Sequence, residues 1–155
     1  MLLAAVVLLT LLLIWASALC DRCLGGHWVG DPGFLARAGL GDLQLFLGPR
    51  APGGRAGYLL ATAPDGAFLA NTALSFCGGP WPWAALAAAL GGAAPFRAAL
   101  RADTAPCAGA APRAAPCAAT LSVACGTLTL SGFWGRAVLR KDHAASAAAA
   151  AAYRK

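Results

Sequence analysis

Thr120-Leu-Ser-Val-Ala-Cys-Gly-Thr-Leu-Thr-Leu-Ser-Gly-Phe-Trp-Gly-Arg-Ala-Val-Leu139 is the stretch on which the fold turns. Three alternating runs, Thr120–Ala124, Thr127–Leu130 and Phe133–Leu139, are separated by Cys125-Gly126 and Ser131-Gly132. Alternation with a period of two places successive side chains on opposite faces of a strand, and glycine at the breaks suits tight turns. The reading is an antiparallel meander of three strands, closed by the charged run Arg140-Lys141-Asp142-His143.

The pattern continues upstream. Asp42–Leu47 alternates, with Leu43, Leu45 and Leu47 on one face. Tyr58–Ala63 and Ala67–Asn71 flank Pro64-Asp65-Gly66, whose residues suit a turn, and Thr72–Phe76 can extend the second strand. Phe96–Ala102 reads as a further strand, and Gly26–Gly30 as a short one that buries Trp28. Asp31-Pro32 marks the start of a helix of about two turns, with Asp31 as N-cap, Pro32 at its first position and Gly39 just past its end. Ala84–Ala89 is a second short helical stretch before Gly91-Gly92. Gly48–Gly57 and Thr104–Ala118 are rich in Gly or Pro and read as loops. In Cys77-Gly-Gly-Pro-Trp-Pro-Trp83 the two tryptophans are expected to pack in the core rather than form an exposed apolar patch. The fold class is therefore mainly β: a small antiparallel barrel or sandwich with one or two short helices.

The first twenty residues, MLLAAVVLLTLLLIWASALC, are a different object. Leu2–Cys20 contains no charged side chain, and as a helix it would reach about 28 Å, close to the hydrocarbon thickness of a bilayer. The alternative is a secretory signal cleaved after Ala18 at the Ala16-Ser17-Ala18 pattern. No Lys or Arg precedes the apolar run, and this favours a retained transmembrane helix. The organisation expected is residues 1–20 as the membrane segment, 21–143 as the β-rich domain and 144–155 as a low-complexity alanine-rich tail.

Six cysteines, Cys20, Cys23, Cys77, Cys107, Cys117 and Cys125, follow or end that segment. An even number behind a translocation signal suggests structural disulfides, and the candidates are Cys77, Cys107, Cys117 and Cys125, with connectivity open. Cys20-Asp-Arg-Cys23 has the spacing of a redox motif but no surrounding βαβ pattern, and zinc would require a second close pair. No cofactor or metal site is expected. The formal net charge is +6, but the basic residues form no run of the kind that binds nucleic acid. There is no glutamate, no G-x-S-x-G, no H-E-x-x-H and no phosphate-cradling glycine motif, so catalysis is not expected.

The early Gly26-His-Trp28, the hairpins and the closing Gly126-Thr-Leu-Thr-Leu130 are similar to small lipocalin- or avidin-like barrels. Trp28–Leu40, Gly57-Tyr-Leu59, Asn71, Gly126–Leu130 and Ala137–Asp142 together resemble an uncharacterised family of small proteins with an N-terminal membrane segment, found in large DNA viruses of algae and protists. That resemblance implies a virion or host-membrane location and no catalytic residues.

Two functions follow as expectations. One is a non-enzymatic single-pass membrane protein that displays its β-rich domain outside the cytosol and acts through contacts with other proteins. The other is a secreted lipocalin-like carrier of a small apolar ligand, with Trp28, Phe46, Tyr58, Phe68 and Trp134 as pocket or plain core.

Overall fold

The structure, a computed structural model, describes residues 1–102, 116–122, 126–132 and 135–152. Its elements are α1 (Leu2–Leu24), β1 (Gly26–Gly30), α2 (Pro32–Ala38), β2 (Asp42–Leu47), β3 (Arg55–Thr62), β4 (Phe68–Gly78), α3 (Pro82–Ala89), β5 (Ala94–Arg101), β6 (Pro116–Leu121), β7 (Thr127–Gly132), β8 (Gly135–Asp142) and α4 (His143–Ala152). Each strand pairs antiparallel with the next, and β8 returns to pair with β1, so the eight strands form a closed barrel. Closure pairs both potential edge strands and leaves no open ladder.

The meander has the expected three strands, but Ser131-Gly132, expected as a turn, continues β7 and pairs with Arg136 and Gly135 at the start of β8. Leu121 pairs with Leu128, Leu128 with Leu139 and Leu130 with Ala137, so one apolar face runs across β6, β7 and β8. All five of these residues are buried. Leu45, Leu47, Leu74, Phe76 and Phe96 fill the interior from the other strands, interleaved with Ala94, Ala98 and Ala119. Phe76 and Phe96 meet edge to face, with centroids 6.4 Å apart. The strands exceed their expected bounds where the sequence offered no alternation: β4 runs unbroken through Thr72–Phe76 to Gly78, and β6 takes residues 116–118 from the stretch read as a loop. The Gly48–Gly57 segment is shorter than expected, because β3 already begins at Arg55 and Ala51 bridges to Gly54.

In α2 the Asp31 carboxylate accepts from the amides of Gly33 and Phe34, and Gly39 ends the helix in the left-handed conformation at φ 67°. Asp31 also pairs with Arg140. Desolvation pushes its carboxyl upward, but the guanidinium and the two amides outweigh that and hold it below the usual carboxylate value.

Two other helices depart from the expected boundaries. Rather than stopping at Cys20, α1 continues to Leu24, and its last turns enter the domain: Ala16, Cys20 and Leu24 are buried. Residues 143–152 form α4, whose Ser146 Oγ accepts a hydrogen bond from the backbone N–H of His27 at 2.8 Å, so this part of the tail belongs to the domain. Gly26, the first residue of β1, has φ 119°, and a Cβ there would lie 2.6 Å from Ser146 Oγ; only glycine fits.

Candidate functional site

A helix leaves its last carbonyl groups without intrahelical partners, and burying them unpaired is costly. The C-terminal end of α1 is buried against one end of the barrel, and three side chains from the barrel answer those carbonyls. Trp28 Nε1 donates to Leu24 O at 2.9 Å. The Lys141 ammonium donates to the carbonyls of Cys23 and Gly25. The Arg55 guanidinium donates to the carbonyl and carboxylate of Asp21, and to Gly48 O at 2.9 Å. Two cations at a helix C-terminus also oppose its negative dipole end.

Strand register explains why these residues meet. Arg55 shares the inward-facing parity of Gly57, Leu59 and Ala61 on β3, and Lys141 that of Ala137 and Leu139 on β8. Each cation stands at the end of an apolar row, where the barrel gives way to α1. Arg55 is 4% exposed. Lys141 Nζ lies 5.1 Å from the ring centroid of Trp28, and burial, reinforced by the Arg55 charge, lowers the pKa of its ammonium to about 8. Beside this junction is a cleft of about 470 Å³ lined in part by Asp21, Arg22, Arg50, Arg55 and Lys141. Arg50 adds a second, exposed contact to Asp21 at 3.7 Å.

The second feature is a cavity of about 300 Å³ inside the barrel, toward the end away from α1. Leu43, Leu45, Leu59, Leu74, Leu130 and Leu139 dominate its lining, with Thr72 and, where β5 ends, Arg101. Its surface is almost wholly aliphatic.

The aromatic residues named as pocket candidates are not brought together. Trp28 is fully buried at the helix junction. Phe46 and Tyr58 are register partners on the face of β2 and β3 opposite Leu45, Leu47 and Leu59, and Tyr58 is 43% exposed. Phe68 is exposed at the start of β4. Trp134 lies outside the described residues. The interior lining is instead leucine, which alternation alone marked as inward. Trp81, the N-cap of α3, and Trp83, in its first turn, both expected in the core, are 78% and 59% exposed, because Ala85 is the residue turned inward.

Among the cysteines, Cys117 is a correction. It is a free thiol on the inner face of β6, with burial pushing its pKa up, rather than part of a disulfide. Cys20 is likewise free and buried, its Sγ 3.8 Å from Ala85 O. Cys23 and Cys77 are disulfide-bonded. Cys107 and Cys125 lie outside the described residues.

One polar group on the barrel wall combines residue types known from hydrolases: His27, Asp142 and Ser146. His27 Nδ1 is 3.8 Å from Asp142, and its Nε2 is 3.1 Å from Gln44 Oε1. Ser146 Oγ is engaged with the backbone N–H and carbonyl of His27, not with the imidazole. A serine nucleophile needs the base on its own hydroxyl, so this geometry does not form a catalytic relay. Among the described residues no three His, Cys, Asp or Glu side chains gather as metal ligands. No protein-family model, curated protein or solved structure matches this chain.

Proposed function

We propose that this chain is a single-pass membrane protein in which α1 spans the bilayer and holds the barrel at its extracytoplasmic surface, where the barrel acts through contacts with other proteins and not as an enzyme. One observation carries the reading: α1 is a continuous helix whose most apolar 18 residues have a mean hydropathy of 2.7 and whose first two-thirds is largely exposed, while its end is built into the barrel. An exposed apolar helix of this length needs a hydrocarbon environment. Cleavage after Ala18 would remove the fully buried Ala16 from its place beside α3. Disulfide-bonded Cys23 and Cys77 favour the oxidising side of the membrane. The virion or host-membrane location implied by the sequence resemblance belongs to the same proposal.

Carbonate extraction of membranes that express the full chain tests it. The protein should stay in the pellet with residues 1–18 attached. Release into the supernatant with a new N-terminus at Leu19 would overturn the reading.

The aliphatic cavity supports a second reading, a barrel that takes a small apolar ligand. Its volume of about 300 Å³ lies at the lower bound for ligand pockets, and its lining offers burial with few polar anchors. Binding of a solvatochromic apolar dye by the purified chain, abolished by Leu59→Trp, is the expected result. Dye binding unchanged by that substitution would remove the cavity from consideration.

A further inference from the structure

A surface helix of a soluble domain ordinarily turns a polar face to water. α3 has none. Its sequence, PWAALAAA, carries no charged residue. Ala85 is fully buried, and the opposite face presents Trp83, Ala87 and Leu90 at i, i+4 and i+7, all exposed, with Trp81 exposed just ahead of the helix. Leu90 is 80% exposed. This apolar surface adjoins α1, because α3 packs on α1 where Ala16 and Cys20 are buried. Trp15, on α1 just before that contact, is exposed as well.

The length of α1 then sets where α3 lies. The part of α1 ahead of the contact, Leu2–Trp15, would reach only about 21 Å at 1.5 Å per residue, short of a hydrocarbon layer of about 30 Å. To fill that layer, the span must continue to about Cys20, and this carries the α3 contact into the bilayer margin. Just beyond Cys20 the charge begins: Arg22 and the 72%-exposed Arg50 stand at the cleft beside the end of α1, and there they face Asp21 as the acidic residue of its lining.

Resting on the single-span reading above, we propose that the end of the barrel that receives α1 is a membrane-docking surface: α3 lies in the headgroup–acyl boundary of the same bilayer, with Trp15, Trp81, Trp83 and Leu90 in lipid, and Arg22 and Arg50 meet the phosphates of anionic phospholipids. Tryptophan suits this depth because its ring is apolar and its N–H is wet, and arginine one step further out has a bidentate match to phosphate. The barrel is thereby seated on the membrane rather than tethered above it.

The full chain reconstituted in vesicles with bromine-labelled acyl chains provides the test. Shallow bromine should quench tryptophan fluorescence, and a Trp81→Phe/Trp83→Phe variant, which changes only exposed positions, should lose about half of that quenching. Adding phosphatidylserine to phosphatidylcholine should raise the quenching in the parent, and Arg22→Gln/Arg50→Gln should cancel the rise. If the protein resists carbonate extraction but acrylamide in the water reaches Trp81 and Trp83 and bromine does not, the span stands and the docking surface is overturned. No response to phosphatidylserine would overturn the phosphate contact. Extraction by carbonate would remove the span and the docking surface together.

Discussion

Lys141 and Trp28 are cross-strand partners on β8 and β1, and the Lys141 ammonium lies over the Trp28 indole while both donate to carbonyls at the end of α1. Two neighbouring strands thus hold one helix end through a cation, a ring and a ring N–H. The barrel closes at the β1–β8 seam, so α1 is fastened at the point where the sheet meets itself.

Trp28 is the largest fully buried side chain among the described residues, and its truncation should be severe. Trp28→Ala should cost about 3–5 kcal/mol, the range for a buried large aromatic, which approaches the whole stability of a small domain. Trp28→Phe keeps a ring but leaves Leu24 O without its donor, and should cost less, about 1–3 kcal/mol beyond the lost packing. Denaturant melts followed by circular dichroism check both. A Trp28→Ala protein that melts with the parent would show that the junction contributes nothing to the barrel.

Arg55, 4% exposed, and Asp21, 33% exposed, join the barrel to α1 as an ion pair. Arg55→Leu should destabilise by about 1–3 kcal/mol, because it leaves the carbonyls of Gly48 and Asp21 without their charged donor. Asp21→Asn in the same chain should recover part of that loss. The expected readout is a non-additive double-mutant cycle in melting experiments; strictly additive effects would mean that the pair is screened by solvent.

Lys141 gives the junction a pH dependence. Desolvation, and then Arg55, lower its folded pKa to about 8 from an unfolded value of 10.5. Between those values the unfolded chain binds more protons, so stability should rise as pH increases from 8 toward 10.5. Below pH 8 the full penalty of the charged lysine is present. Lys141→Arg cannot titrate in that range, and its stability should lack this rise when both proteins are melted from pH 7.5 to 10.

The two buried free thiols, Cys20 and Cys117, fix a labelling pattern. Cys23 and Cys77 are disulfide-bonded. Of the described cysteines, two should therefore take up alkyl groups when the unreduced chain is denatured and none while it is folded, since burial hides both thiols and raises the pKa of Cys117. Peptide mapping should place the label on Cys20 and Cys117. Four or more labels without reductant would indicate a reducing compartment.

Strand identity, the Pro64-Asp65-Gly66 turn and the apolar first helix were set by the sequence alone, because period-two alternation, Pro-Asp-Gly turn chemistry and an uncharged run of membrane length are local properties. The meander of β6, β7 and β8 and the cap of α2 at Asp31 could be read directly for that reason. Closure of the sheet, which chose barrel over sandwich, depends on β1 finding β8 across the whole chain, and no local pattern encodes that pairing. The same holds for the helix junction. Arg55 and Lys141 are unremarkable members of a scattered basic set until register turns both inward at one end of the barrel. Tertiary structure also decided which aromatics are buried. Trp28 is covered by the end of α1, whereas Trp81 and Trp83 are left outside because Ala85, small enough for close approach, is the side of α3 that meets α1. Hydrophobicity alone marks a residue as seeking cover, and only the packing of distant elements determines whether protein supplies it.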